Sequence, residues 1–269
     1  MIDIHSHILP SVDDGSKSME ESLGILRQLQ GEGFNTILAT PHVMEGTDYL
    51  QPQEILTATE SVRQRAIEAG ITVEVFPGAE NYIFPEMAKW ARDGKLMTLG
   101  NTGTYILVEL PMMEIPRYTD QVFFELQVEG LTPVLAHPER YQGLFREPQR
   151  ITEWAKRGIL FQIDFRSLSG RYGPQPKRLA ERMISSGLIH FVGSDAHRIS
   201  RSESTNKEAL QTLRQMLGEE RFEEVTIKNP RSILEGKVIQ CSSDYMLNDV
   251  DIKKKKRSLW SIIGKIMSK

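Results

Sequence analysis

Side chains of the types that bind metal ions recur along this chain, each just after a short apolar segment with the composition of a β-strand. The set contains five of the six histidines and four carboxylates: His5, His7, Asp14, His42, Glu80, Glu109, His137, Asp195 and His197. Nine such groups suffice for two or three ions with positions left for water and substrate. Nitrogen and oxygen ligands without thiolates suit Mn²⁺, Fe²⁺ or Zn²⁺ and leave the choice among them open.

Two of the motifs space their candidate ligands two residues apart. His5 and His7 flank Ser6, and Asp195 and His197 flank Ala196. Because side chains at i and i+2 of an extended strand share a face, both members of each pair can reach one ion. A lone H-x-H motif is also compatible with two surface histidines, so the pairs gain weight from the rest of the set.

The other candidates stand singly. His42 and His137 each lie beside a proline just past an apolar segment, and the alternative for either one is an ordinary loop histidine. Glu80 and Glu109 end apolar segments, where an ionised carboxylate must be paired with an arginine or bound to a metal. Asp14 belongs to an Asp-Asp-Gly sequence that is also typical of a turn.

The elements that carry these residues alternate between apolar and amphipathic segments. Strands are predicted at 1–5, 36–40, 72–77, 104–109, 131–136, 159–163 and 189–193. Helices are predicted at 18–32, 52–69, 84–94, 117–129, 148–157, 174–187 and 203–217. This alternation predicts an α/β fold with parallel strands covered by helices. Six of the seven strands deliver a ligand near their carboxyl ends, which favours a distorted TIM-like (β/α)7 barrel over an open doubly wound sheet.

Composition limits the location and the partners. The chain has one cysteine, Cys241, no apolar run of the roughly 18 residues that cross a bilayer, and no signal-peptide pattern at Met1, so we expect a cytoplasmic protein. Residues 253–269 carry seven basic and no acidic side chains, so that the remaining residues, with 26 basic and 36 acidic side chains, sum to −10. An acidic body argues against nucleic acid as its partner.

We therefore predict a barrel over residues 1–240 and a separate basic tail over 241–269. Within the tail, Leu259, Ile262, Ile263 and Ile266 recur at helical spacing beside Trp260. One interpretation is an amphipathic helix that makes peripheral contact with anionic lipid at the inner face of the membrane. The alternative is a disordered, solubilising end.

Other hydrolytic chemistries are excluded by their motifs. A cysteine-dependent tyrosine phosphatase needs an arginine six residues after its cysteine, and here Leu247 holds that place after Cys241. The chain has neither a G-x-S-x-G elbow nor a P-loop. His190, the one histidine outside the set, begins the last predicted strand and is interpreted as structural.

The ordered motifs resemble the PHP (polymerase and histidinol phosphatase) superfamily, and within it the bacterial manganese-dependent protein-tyrosine phosphatases of the CpsB/CapC type. The resemblance covers about residues 1–240 and rests on Met1-Ile2-Asp3-Ile4-His5-Ser6-His7-Ile8-Leu9-Pro10, Asp13-Asp14-Gly15, Thr40-Pro41-His42, Gly78-Ala79-Glu80, Glu109-Leu110-Pro111, His137-Pro138-Glu139-Arg140 and Gly193-Ser194-Asp195-Ala196-His197. It implies Mn²⁺ as the cofactor, phosphotyrosine proteins as substrates, a membrane-bound bacterial tyrosine kinase as a partner, and a role in capsule or exopolysaccharide synthesis.

The resemblance also implies residue roles. One ion would be held by His5, His7, Glu80 and Asp195, a second by Glu80, Glu109 and His137, and a third by Asp14, His42 and His197. Arg140 follows His137 by three residues and is the first candidate for binding the phosphate, the alternative being an ordinary surface arginine. The resemblance implies a second such arginine after His197, for which Arg201 is a better match than Arg198. The loop 167–173 would contact the substrate.

Two other functions remain open at this point. A small-molecule phosphatase of the histidinol-phosphate type would use the same metal chemistry. A catalytically silent barrel that binds kinase or polysaccharide machinery is the alternative from a different class, and the presence of all nine ligand types argues against it.

Overall fold

The computed structural model describes residues 1–46, 49–200 and 203–239. Arg201, Cys241 and the predicted tail of residues 241–269 lie outside this range. The strands are β1 (Ile2–Ser6), β2 (Thr36–Ala39), β3 (His42–Val43), β4 (Glu74–Pro77), β5 (Glu80–Tyr82), β6 (Tyr105–Glu109), β7 (Thr132–Ala136), β8 (Leu160–Asp164) and β9 (Phe191–Gly193). They form two parallel sheets, β1-β2-β4 and β3-β5-β6-β7-β8-β9.

Nine strands occupy the seven predicted positions because two of those positions contain a break. Pro41, which has no N–H to donate, separates β2 from β3, and Gly78 and Ala79 separate β4 from β5. A Cβ atom at Gly78 would lie 3.1 Å from the Thr40 side chain, so the two breaks pack against each other. The breaks move His42 and Glu80 onto new short strands, which sequence analysis did not predict.

The barrel closes where β1 of the first sheet lies beside the segment that follows β9 of the second sheet. Ser6 and Ala196 form a parallel bridge, in which His7 N donates to Ala196 O at 3.0 Å. One step earlier, Asp195 N donates to His5 O at 2.8 Å. The predicted class, a distorted barrel of parallel strands covered by helices, is confirmed. Closure places the His5–His7 pair beside the Asp195–His197 pair.

The helices are α1 (Met19–Gly31), α2 (Pro52–Glu68), α3 (Met87–Arg92), α4 (Thr119–Val128), α5 (Gln142–Arg146), α6 (Gln149–Lys156), α7 (Pro174–Ser185), α8 (Glu203–Glu223) and α9 (Asn229–Leu234). Ser18 caps α1, because its side chain accepts from Glu21 N at 3.2 Å. The helices α5 and α9 were not predicted, because their five and six residues are too few for a helical period to show. Within the described ranges, no helix has the length and apolar character to cross a membrane.

Two apolar layers position the strand ends. The larger one lies between the sheet and the helices, and the smaller one contains Leu107, Val134, Leu160 and Phe191. Along β8, Gln162 lies two residues after Leu160 and therefore shares its face of the strand. Apolar side chains thus support a polar layer at the carboxyl ends of the strands.

Candidate metal centre

Eight of the nine predicted ligands form three overlapping groups, within each of which the ligand atoms lie within 4.8 Å of one another. The groups are His5, His7, Glu80 and Asp195; His42, Glu80 and Glu109; and His7, Asp14, His42 and His197. The ninth, His137, contacts the same cluster through its Nε2 atom, 2.9 Å from Glu80 Oε1. The structure therefore brings all nine candidates to one end of the barrel.

The innermost group is buried. Its two imidazoles face each other, with Nε2 of His5 3.1 Å from Nε2 of His7. Glu80 Oε2 lies 3.1 Å from the first of these nitrogens and 3.2 Å from the second. Asp195 Oδ1 lies 3.5 and 3.2 Å from the same two atoms. Four ligand atoms from three distant parts of the chain thus point at one volume.

Hydrogen bonds behind the two rings fix their orientation. The Nδ1–H of His5 donates to Gln162 Oε1 at 2.8 Å, and that of His7 donates to Asp13 Oδ2 at 2.7 Å. Each Nε2 atom therefore carries the lone pair that a metal requires. Among the described residues, no hydrogen-bond donor satisfies Glu80 Oε2 or Asp195 Oδ1. Buried carboxylate oxygens of this kind are explained by a bound cation, so the donor set fits a metal.

In the metal-free protein the same contacts shift pKa values in opposite directions. Burial alone would lower the pKa of His5, but the carboxylates of Glu80 and Asp195 outweigh it and raise that pKa to about 9. For Asp13, burial alone would raise the pKa, but the contact with His7 outweighs burial and lowers that pKa to about 2. Protons and metal ions therefore compete for the same nitrogen atoms.

The two outer groups share His42. Its Nδ1 atom lies 3.1 Å from Glu80 Oε2 and 3.4 Å from Glu109 Oε2, and its Nε2 atom lies 3.5 Å from Asp14 Oδ1. His197 Nε2 lies 3.2 Å from the same Asp14 oxygen, whose side chain is 70% exposed. Asp14 therefore marks the mouth of the site. The resemblance implies an ion held by Glu80, Glu109 and His137. In the structure, His42 lies in one group with Glu80 and Glu109, and His137 contacts Glu80 from outside that group.

Two of the candidate ligands have left-handed backbone conformations. His137 follows β7 with φ 30°, and Asp195 follows β9 with φ 45°. For residues with a Cβ atom this conformation costs about 1–3 kcal/mol each and persists where the surroundings enforce it. Both residues turn the chain sharply at a strand end, as expected where side chains must point at a shared centre.

Two glycines allow backbone segments to approach the ligands. A Cβ atom at Gly193 would lie 2.5 Å from Gln162 Nε2 and 2.7 Å from His5 Cβ. A Cβ atom at Gly15 would overlap the carbonyl oxygen of His7. A turn was the alternative interpretation of the Asp-Asp-Gly motif, and close packing against His7 is a second reason for its glycine.

The predicted phosphate-binding arginines have different surroundings. Arg140 reaches the cluster, with Nη1 2.5 Å from Asp195 Oδ2, and its side chain is 21% exposed. Arg198 donates to the carbonyl oxygens of Gly15 and His197, which ties it to the site's loops. Arg201 lies outside the described residues.

The residues that orient the ligands were not predicted from the sequence. Gln162 occupies an interior position of a strand that was predicted, and a polar residue within the apolar run Leu160–Ile163 was the available signal. Asp13 was named only within the Asp-Asp-Gly motif and was given no role toward His7. His190 is buried away from the cluster and accepts from Phe161 N through Nδ1 at 3.1 Å, in keeping with a structural role.

A closed parallel barrel with imidazoles and carboxylates converging at the carboxyl ends of its strands defines the class of metal-dependent α/β-barrel hydrolases. The chain belongs to the CpsB/CapC family of capsular polysaccharide synthesis, whose family model matches residues 1–235.

Relatives within this family are similar over most of their length. The chain is 37% identical to the tyrosine-protein phosphatase YwqE of Bacillus subtilis over 220 residues, which is 82% of this chain and 86% of that one. It is 30% identical to the tyrosine-protein phosphatase CpsB of Streptococcus agalactiae over 245 residues, covering 89% of this chain and all of the relative.

The fold of the chain is also similar to the folds of solved structures. The fold matches a structure from work on YwqE of Bacillus subtilis and CpsB of Streptococcus pneumoniae, described as metal-dependent tyrosine phosphatases. The TM-score is 0.85 at 34% identity, over 92% of this chain and 100% of that one. A histidinol phosphate phosphatase from Lactococcus lactis matches with a TM-score of 0.50 at 14% identity, over 81% of this chain and 92% of that one, which is a likeness of fold alone.

Proposed function

We propose that this chain is a metal-dependent protein-tyrosine phosphatase that hydrolyses phosphotyrosine by attack of a metal-activated water. The convergence of His5, His7, Glu80 and Asp195 at the barrel mouth, with Arg140 beside them, carries the proposal. The similarity to tyrosine-protein phosphatases of the same family supports the substrate.

The nine predicted residues are proposed as ligands of two or three ions: His5, His7, Asp14, His42, Glu80, Glu109, His137, Asp195 and His197. We propose Mn²⁺ as the native ion, with Fe²⁺ or Zn²⁺ as alternatives that the same ligand types accept. When bound, such ions supply a water of lowered pKa and positive charge at the phosphate oxygens. Glu80 would be able to hold more than one such ion, because its two oxygens face different histidines.

The chain's own residues then bind and orient the phosphate. Arg140 donates to Asp195 through Nη1, and a guanidinium has five N–H donors in a fixed fork. Arg140 can therefore present further donors to two phosphate oxygens while Asp195 holds it. Arg201 is proposed as a second phosphate ligand, as the family resemblance implies.

We further propose that the substrates include a bacterial tyrosine kinase and that the protein acts in the cytoplasm, where it regulates capsule or exopolysaccharide synthesis. The name of the family supports the pathway. Within the basic tail, residues 253–269 are proposed to bring the phosphatase to the inner face of the membrane.

The test compares substrates, metals and variants. Chelator-treated protein is reloaded with Mn²⁺, Fe²⁺ or Zn²⁺ and given a phosphotyrosine peptide, p-nitrophenyl phosphate or histidinol phosphate. We expect turnover of both aryl phosphates, and loss of at least about a hundredfold in kcat/KM for His5→Ala and Arg140→Ala. Arg92→Ala, which removes an exposed ion pair with Glu129, is the matched control and should retain activity.

Unchanged activity in His5→Ala would contradict the metal centre. Turnover of histidinol phosphate in preference to the peptide would instead indicate the small-molecule phosphatase. Partner binding without any hydrolysis would indicate the non-catalytic barrel.

A further inference from the structure

Five residues beside the candidate metal centre form a closed circuit of contacts. They lie at the carboxyl ends of three neighbouring strands, β7, β8 and β9, or in the loops that follow them, and are Arg140, Tyr172, Asp164, Arg166 and Asp195. Each touches the next, and the last touches the first. Only Arg140 and Asp195 have a role in the function proposed above.

Asp195 anchors both arginines of the circuit. Its Oδ2 atom accepts from Arg140 Nη1 at 2.5 Å, and its backbone oxygen accepts from Arg166 Nη2 at 2.5 Å. The side chain of Arg166 is almost fully buried, whereas that of Arg140 reaches solvent. The two arginines therefore differ in function: the inner one supports Asp195, and the outer one is available to a ligand.

Tyr172 completes the circuit on the other side. Its ring centroid lies 4.5 Å from Arg140 Cζ, within the range of a cation–π contact. Its hydroxyl donates to Asp164 Oδ2 at 2.5 Å. Asp164 Oδ1 in turn accepts from the backbone N of Arg166 at 2.8 Å and from its Nε at 3.3 Å.

The base of this arrangement is rigid. Asp164 is fully buried, and its own N–H donates to Glu139 Oε1 at 2.9 Å. Ser167 Oγ donates to the same Glu139 oxygen at 2.8 Å. Because a buried carboxylate that is bonded on both oxygens has few alternative positions, Asp164 holds the Tyr172 hydroxyl in place.

We propose that Tyr172, held by Asp164, is a positioning residue that fixes the guanidinium of Arg140 for phosphate binding. This inference rests on the proposed function, since it assumes that Arg140 binds phosphate. A guanidinium confined between the Tyr172 ring and Asp195 loses less conformational freedom when phosphate binds. The substrate contact expected for loop 167–173 stays a prediction, and Tyr172 of that loop contacts Arg140.

The test measures phosphate binding as well as turnover, on the full chain loaded with Mn²⁺. Calorimetry gives the Kd of inorganic phosphate, and kcat/KM is measured with p-nitrophenyl phosphate and a phosphotyrosine peptide. Tyr172→Phe, which keeps the ring and loses the bond to Asp164, should weaken phosphate binding about fivefold. Tyr172→Leu, which also loses the ring, should weaken it about tenfold or more. The kcat/KM values for both substrates should fall by similar factors.

A double-mutant cycle separates positioning from general damage. If Tyr172 acts through Arg140, Tyr172→Phe has no further effect on phosphate binding in an Arg140→Ala background. Tyr105→Phe is the matched control: the Tyr105 hydroxyl donates to Lys237 O at 2.7 Å and accepts from Ile239 N at 2.8 Å. That variant removes a hydrogen-bonded hydroxyl at the amino end of β6 and should leave the Kd of phosphate unchanged.

Three outcomes would overturn the inference: equal loss from Tyr172→Phe with and without Arg140, loss confined to the peptide substrate, or wild-type phosphate binding in Tyr172→Leu. Thermal unfolding of each variant identifies any that fails to fold, and the conservative Tyr172→Phe variant then decides. A wild-type protein that binds phosphate but hydrolyses no aryl phosphate would refute the proposed function, while the phosphate titrations would still test the circuit.

Discussion

The Nε2 atoms of His5 and His7 lie 3.1 Å apart, with their opposite ring nitrogens bonded to Gln162 and Asp13. Two lone pairs at this distance repel each other unless a proton or a metal ion lies between them. Gln162 and Asp13 hold the rings in this geometry, so part of the affinity for a cation is built in before the cation arrives.

The first prediction concerns Asp13. Replacing it with Asn keeps the shape but removes the negative charge that accepts from His7 Nδ1, so Mn²⁺ affinity should fall about 10- to 100-fold. Titration against a competing chelator, with metal content measured by mass spectrometry, gives the affinity. Asp93→Asn, at an exposed helix end, is the matched control. Wild-type affinity in Asp13→Asn would show that the bond does not support the metal.

The second prediction concerns Gly193. A methyl group there meets Gln162 and His5, both of which lie in the packed interior, so Gly193→Ala should lower the free energy of unfolding by about 1–3 kcal/mol and weaken metal binding. Gly31→Ala is the control, because no atom lies within 4 Å of its added Cβ. That change in a helix should be neutral or stabilising by up to about 1 kcal/mol. Equal stability of the two variants would contradict the close approach.

The third prediction concerns pH. Burial and the charge of Arg221 lower the pKa of His190 to about 3, so the folded protein keeps this ring neutral. The unfolded chain binds a proton there near pH 6.5, and the folded chain does not until about pH 3. The contribution of His190 to stability is therefore complete above pH 6.5 and is lost as the pH falls towards 3.

His190→Asn tests whether His190 causes this loss of stability at low pH. The variant keeps the local hydrogen bond, since an amide oxygen can still accept from Phe161 N. Denaturant unfolding between pH 7.5 and 4 should show a shallower loss of stability in the variant, by on the order of a few kcal/mol at the acidic end. Parallel curves for the two proteins would mean that His190 titrates normally in the folded state.

The fourth prediction concerns the tail. The full chain should sediment with vesicles rich in anionic lipid, and a chain of residues 1–250 should remain in the supernatant, because the truncation removes all seven basic residues of 253–269. Binding should weaken as salt is raised, since charges at a surface are screened. Vesicles of neutral lipid are the control. Equal partitioning of the two proteins would exclude the tail as a membrane contact.

Sequence by itself determined the class of fold and the types of ligand. Apolar segments that alternate with amphipathic ones predict parallel strands under helices, and those patterns are local. The spacing of His5 and His7 also depends only on the period of a strand. For these reasons the barrel and the residues gathered at its mouth could be predicted, while short elements such as α5 and α9, held by tertiary packing, could not.

Only the tertiary structure decided which atoms meet. The bond between His5 and Gln162 joins residues 157 positions apart, and that between Arg140 and Asp195 joins residues 55 apart. The breaks after β2 and β4 lie side by side and keep one register, so that Ala39 pairs with Pro77 before them and His42 pairs with Glu80 after them. Such contacts follow from strand register and from closure of β1 against β9, and no local pattern in the chain encodes either.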